Sequence, residues 1–148
     1  MKIRELMSYN ATRILESATM REAANLVSMT GTSDLMVVDA DNNFRGVLSE
    51  GDLIRAVMPN FAELMADGMS LRDAFDEFVD NGRDMATRAI DSLVISGDKL
   101  VTYKPEDDVL KAAGTMVAKQ IRRLPIVDKE GKLVGTISRA DVCKGILN

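Results

Sequence analysis

The chain repeats itself. An offset of 89 positions lays Ala23-Ala24 on Ala112-Ala113, Leu35 on Leu124, Val38-Asp39 on Val127-Asp128, Gly46 on Gly135, Ser49 on Ser138 and Asp52 on Asp141. No gap is needed from Thr19 to Val57, and the apolar positions agree as well: Val37 with Ile126, Phe44 with Leu133, Leu48 with Ile137, Leu53 with Val142. One offset held over so many positions marks a tandem duplication, and the fold must contain two related units. A unit of this size buries too small a fraction of its surface to be stable alone. The two copies are therefore expected to pack sheet to sheet, leaving a cleft with two related sites.

Each copy reads as strand, helix, strand, strand, helix. In the first, Thr19-Met20-Arg21-Glu22 is a capping box, opening a helix with Ala23, Ala24, Val27 and Met29 at or near its inner face and Gly31 at its end. Leu35-Met36-Val37-Val38 is a continuously apolar strand, the pattern of a strand covered on both faces. Asp39 to Asn43 is a turn, Phe44 to Leu48 returns, and Ser49-Glu50-Gly51-Asp52 opens a helix ending near Met58-Pro59. In the second copy a strand stops at Lys104-Pro105 and Asp107 to Ala118 is helical. Leu124 to Val127 and Leu133 to Ile137 are then strands joined by Asp128-Lys129-Glu130-Gly131, and a helix starts at Ser138.

This divides the chain into a first repeat over residues 1–58, an insert over 59–95 and a second repeat over 96–148. The insert predicts helices. Ser70-Leu71-Arg72-Asp73 is a capping box before Ala74, Phe75, Phe78 and Val79, Asn81-Gly82 reads as a stop, and Arg83 to Leu93 as a further helix. From Pro59 to Asp84, Glu63, Asp67, Asp73, Asp76, Glu77, Asp80 and Asp84 face only Arg72 and Arg83. That segment carries −5 of a total of −4, so the remainder is +1. The acidity lives in the insert, which is expected to be a packing, dimer or protein-partner surface.

Composition excludes several function classes. There is no histidine, hence no imidazole base, shuttle or metal ligand. The single cysteine, Cys143, permits no intrachain disulfide and reads as a buried small apolar residue. The net charge of −4 and the absence of tryptophan argue against nucleic acid. No apolar run approaches the roughly 20 residues of a membrane span, and Met1 to Met7 lacks a signal-peptide core, so a cytoplasmic protein is expected. No metal-ligand spacing, phosphate-binding loop or nucleophile beside a base is present, so no enzyme and no required cofactor are expected. Ten methionines read as adaptable core and interface filler.

What remains is the pair of Gly-x-x-Ser-x-x-Asp segments, Gly46 to Asp52 and Gly135 to Asp141. A serine at a helix start sets its hydroxyl beside unpaired first-turn N–H groups, an anion site. An aspartate three residues on offers acceptor oxygens to a ribose diol, and the glycines permit close backbone approach. Apolar strands beside the cleft supply flat surfaces for a heterocycle. Phosphate, diol and flat base together describe a nucleotide. The same spacing is also an ordinary capping box, worth about 0.5–2 kcal/mol at the serine, and both readings stand.

With Leu124-Pro125-Ile126-Val127-Asp128 and the alanine pairs, these segments resemble the cystathionine β-synthase (CBS) domain pair, or Bateman module. The resemblance covers both repeats and leaves the insert unexplained. It implies a mixed α and β (α+β) fold, a homodimer meeting helix to helix, and a regulatory role as a sensor of an adenosine compound. AMP, ADP and ATP come first, with S-adenosylmethionine or NAD as alternatives. A degenerate pair serving only as a ligand-free dimerisation scaffold is the rival reading. In the family the aspartate position takes ribose and the serine or threonine position lies near phosphate.

The second repeat is the favoured site: Ser138, Asp141, Gly135 and Pro125, with Arg122, Arg123, Lys119 and Arg139 as cations, and Thr102 and Lys104 ending its first strand. In the first repeat Ser49, Asp52, Gly46 and Thr12 hold the corresponding places. There Asp34 aligns with Arg123 and Glu50 with Arg139, each a reversal of sign. That repeat is expected to bind a less anionic ligand or to borrow cations from across the interface.

Overall fold

The computed structural model describes the backbone of residues 1–148 and every side chain except that of Asp98. The first repeat holds β1 (Arg13–Leu15), α1 (Met20–Thr30), β2 (Asp34–Val38), β3 (Phe44–Ser49) and α2 (Glu50–Val57). The insert holds α3 (Phe61–Ala66) and α4 (Leu71–Met85), and the second repeat α5 (Val109–Lys119), β4 (Arg123–Val127), β5 (Leu133–Ser138) and α6 (Arg139–Leu147). This is a mixed α and β fold. The duplication extends to detail: β2 with β3, and β4 with β5, are antiparallel pairs whose register slips at the same place, after Val37 and after Ile126.

The second repeat lacks a regular first strand. Its counterpart of β1 is one parallel bridge, Tyr103 beside Ile126, fixed by Tyr103 N–H to Pro125 carbonyl at 3.2 Å and Val127 N–H to Tyr103 carbonyl at 2.8 Å. Pro105 follows two residues later and ends any continuation.

Packing crosses the boundaries read from chain order. The N-terminal segment belongs to the core of the second repeat: Ile3 is fully buried and Met7 nearly so, with Val109, Ala112, Met116, Leu124, Ile126 and Ile137. Ser8 and Thr136 exchange backbone hydrogen bonds at 2.8 and 2.9 Å. Reciprocally, the end of the insert belongs to the first repeat. Ile90 is fully buried with Ile14, Ala23, Leu35, Val37 and Leu48, and Ile95 bridges Val47 on the free edge of β3. Each sheet is thus completed by a segment from the far end of the other unit. A third, smaller cluster of Met36, Val38 and Leu133 joins the two sheets. Arg13 reinforces it, donating to the Asn42 side chain and the Leu133 carbonyl, both at 3.1 Å.

The insert departs from expectation. Gly82 does not stop α4, which runs on to Met85, and Arg83 to Leu93 is not one helix: its first residues end α4 and Ile90–Leu93 form only a short 3-10 turn. Residues 86–90 instead run along the start of α1, where Met20 N–H donates to the Arg88 carbonyl at 2.9 Å and Arg21 N–H to the Ala86 carbonyl at 3.0 Å. A helix there would lose those partners for the unpaired N–H groups of α1. Met29 is not inward but 83% exposed, because α1 turns only its Ala23 side to the sheet. Cys143 is exposed, not buried, on a helix, α6, that buries none of its residues fully. Among the described residues no helix is long and apolar enough to cross a membrane.

Candidate ligand cleft between the repeats

Both Ser-x-x-Asp segments form complete capping boxes. The Ser138 hydroxyl accepts from Asp141 N–H at 3.1 Å, and Asp141 Oδ2 accepts from Ser138 N–H at 2.8 Å. Ser49 and Asp52 repeat the arrangement at 3.1 and 2.8 Å. The two differ at the remaining carboxylate oxygen. Asp52 Oδ1 is held by the Arg55 guanidinium, whereas among the described residues nothing donates to Asp141 Oδ1.

Two cavities lie between the repeats, and the duplication relates them. The first, of about 280 Å³, joins Ser49, Asp52, Asp34 and Val47 of one repeat to the strand entry of the other, Gln120 to Pro125, with Ile95, Lys99, Leu100 and Val101. The second, of about 440 Å³, joins Ser138, Ala140, Asp141 and Arg123 to Ser8, Asn10, Thr12, Thr30, Gly31, Thr32 and Asp34. Each is therefore built from the helix start of one repeat and the strand entry of the other. The offset that carries Ser49 to Ser138 and Asp52 to Asp141 also carries Asp34 to Arg123, and these last two residues line both cavities.

This geometry redistributes the candidate residues. Arg122 and Pro125 meet Ser49 and Asp52, not Ser138 and Asp141, and Thr12 meets Ser138 and Asp141. Within each repeat the first residue of the strand pairs with the serine at the helix start, Asp34 with Ser49 and Arg123 with Ser138, and the strand entry of the other repeat closes the space. The cations that line the cavity of Ser49 and Asp52 come from the second repeat, and Lys99, which sequence reasoning missed, is among them. The signal for Lys99 was its place shortly before the first strand of the second repeat.

Other candidates have structural duties. Arg139 donates to the Ile121 carbonyl at 3.0 Å and the Met116 carbonyl at 3.3 Å, closing the C-terminal turn of α5, and Lys119 lines neither cavity. Thr102 and Lys104 are exposed and line neither. Gly46 and Gly135 are buried, and the strands laid over them supply the reason for both: a Cβ would stand 2.3 Å from the Ile95 carbonyl oxygen at Gly46 and 2.2 Å from the Ser8 carbonyl oxygen at Gly135. Arg123 is half-buried and donates to the fully buried Thr136 hydroxyl at 3.0 Å. Among the described residues no cluster of acidic or sulfur side chains suits a metal ion.

Electrostatically the cavities differ. Lys99, Arg122 and Arg123 face Asp34 and Asp52 in the first; Arg123 alone faces Asp34 and Asp141 in the second. With Val47, Ile95, Val101 and Pro125 as walls, the first can hold an anion beside a flat apolar group. Its volume lies near the lower end of the range of about 300–1,000 Å³ for small-molecule pockets.

Comparison with known proteins bears on the whole arrangement. The crystal structure of CBSX2 from Arabidopsis thaliana in complex with AMP superposes with a TM-score of 0.75 at 21% identity, over 99% of this chain and 96% of that one. The cytosolic domain of the Mg2+ channel MgtE in complex with ATP gives 0.68 at 23% identity, over 95% of this chain but 47% of that one. An uncharacterized protein of Methanocaldococcus jannaschii is 22% identical over 90% of this chain and 84% of its own. Against the Arabidopsis chloride channel protein CLC-f the chain spans only 16% of the relative's length, at 27% identity. In such proteins the matching module is one part of a longer chain. The family model for the CBS domain matches residues 3–59 and 95–148, and the chain belongs to the CBS-domain family.

Proposed function

We propose that this chain is a regulatory module that binds an adenosine nucleotide (AMP, ADP or ATP) in the cleft between its repeats and transmits occupancy through a homodimer. The observation that carries this reading is the cavity in which the Ser49 helix start meets Lys99, Arg122 and Arg123 across apolar walls. Cations and first-turn N–H groups suit phosphates, and Val47, Val101 and Pro125 suit a purine face. The ligands named for CBSX2 and MgtE, AMP and ATP, support the class. The ligand acts through differential affinity for two arrangements of the repeats, since residues of both repeats line each cavity.

The homodimer is supported by the helices of the second repeat, where Leu110 and Leu147 are 82% and 81% exposed and Val117 and Ile146 are exposed as well. The insert is proposed as the surface read by a protein partner, with Leu71 and Phe75 exposed among its acids. A second reading, a ligand-free scaffold, draws on the capping boxes, which already satisfy Ser49, Ser138 and one oxygen of each aspartate.

Thermal melting with AMP, ADP, ATP, S-adenosylmethionine and NAD, each alone, separates the two. A native-state ligand at 100 times its dissociation constant adds about 2.7 kcal/mol. A rise in Tm with one of the adenine nucleotides, abolished in Arg122→Ala, is expected. A rise with only S-adenosylmethionine or NAD would reassign the ligand, and flat curves at millimolar concentrations of all five would favour the scaffold.

A further inference from the structure

We propose that each chain holds one phosphorylated nucleotide, not two, and that Lys99 and Arg122, which line the Ser49 cavity alone, decide which cavity takes it. This rests on the nucleotide reading above and adds stoichiometry and address. Asp34 and Arg123 occupy equivalent places in the two repeats: Asp34 lies opposite Ser49 across β2 and β3, and Arg123 opposite Ser138 across β4 and β5. Both line both cavities, so each cavity feels both charges. One carboxylate and one guanidinium thus offset each other in each cavity, and the pair by itself favours neither.

The remaining side chains break the tie in one direction. The Ser49 cavity adds Lys99 and Arg122, and the carboxylate it contributes, Asp52, is already ion-paired with Arg55. The Ser138 cavity adds no further cation among the described residues, and the carboxylate it contributes, Asp141, has no ion pair there. A polyphosphate entering the Ser138 cavity meets two carboxylates against one shared guanidinium. In the Ser49 cavity it meets three cations and one carboxylate that lacks an arginine partner. Like charges held close outside bulk water repel strongly, and the sign of the local sum decides occupancy. Larger volume does not compensate, since the roomier cavity is the one with the wrong sign.

The test is equilibrium dialysis of labelled ATP against the full chain. Wild type is expected to bind one ATP per chain. Arg122→Ala, which alters the Ser49 cavity alone, should weaken binding at least tenfold, while Lys144→Ala, removing one exposed charge from α6, should leave it unchanged. Asp34→Arg, which makes the two repeats alike in sign, should raise the stoichiometry to two. Asp34→Asn, close in volume, should admit a second ATP at higher concentration if the arginine variant fails to fold. Two equivalent ATP per wild-type chain, or one per chain in both Asp34 variants, would overturn the proposal while sparing the nucleotide reading. Absence of ATP from wild type and every variant would overturn both.

Discussion

Asp39 shows how much one turn residue can carry. Its carboxylate accepts from the Asn43 side-chain amide, from the backbone N–H groups of Asn43 and Asp41, each at 2.9 Å, and from Arg45 at 3.0 Å. The Asn43 amide leads in holding its pKa down, to about 2 from 3.8. A depressed folded-state pKa gives stability that is fully present above the unfolded value and lost as pH falls through the folded one. Asp39→Ala is therefore expected to be less stable than wild type at neutral pH, with the gap closing between about pH 4 and pH 2. Urea unfolding across that range measures it, and a gap independent of pH would contradict the account. At Gly46 and Gly135 the prediction is steric. An added methyl overlaps the carbonyl oxygen of a crossing strand, so Gly46→Ala or Gly135→Ala should cost at least about 1–3 kcal/mol, an overpacking penalty. The glycines were legible as points of close approach, but sequence supplied the wrong neighbour. The motif read as a ligand site because the strands that cover it lie 127 positions away at Gly135, at Ser8, and 49 away at Gly46, at Ile95.

At the scale of elements, helices with strong local signals formed where their caps predicted. Thr19, Ser49, Ser70 and Ser138 each close a capping box. The duplicated hairpins were legible as well, because continuous apolar runs flanked by Asp-rich turns leave few alternatives. The exchange of terminal segments was not. Met1 to Ser8 and Ile90 to Ile95 form only short 3-10 turns and single bridges, too brief for a period to show, and they are held by tertiary burial rather than by local preference. The same reason explains α4: Gly82 is a stop signal in isolation, but Met85 beyond it packs on the core of the first repeat and draws the helix onward. The N-terminal segment should therefore act as part of the second repeat. Ile3→Ala is expected to destabilise the chain by about 2–5 kcal/mol, and hydrogen exchange should quicken in β4 and β5 more than in β2 and β3. Equal effects on both sheets would contradict this division.

For the molecule as a whole, the duplication makes two helical faces and the insert distinguishes them. On the first repeat, Gly82, Met85 and Ala86 supply one wall of an apolar groove formed with Met20, Ala24, Leu53 and Val57. The matching groove of the second repeat, lined by Val109, Leu110, Ala113, Val142 and Ile146, has no wall from the insert and is bordered instead by Met1. A homodimer is accordingly expected to meet through α5 and α6. Replacing Leu110 and Val117 together with glutamate should shift the mass measured by light scattering from dimer to monomer without lowering helix content; a mass unchanged from wild type would contradict it. The division of the cleft was only half legible in sequence. Offset arithmetic paired Ser49 with Ser138 and Asp34 with Arg123, yet it grouped Arg122 with Ser138 and Asp141, whereas folding sets Arg122 beside Ser49 and Asp52. The most direct test of the central claim is hydrogen exchange with and without saturating ATP. The account predicts simultaneous protection of two segments remote in sequence, residues 49–52 and 120–125, because both line the cation-bearing cavity. Unchanged exchange in both, or protection confined to residues 59–85 of the insert, would contradict it.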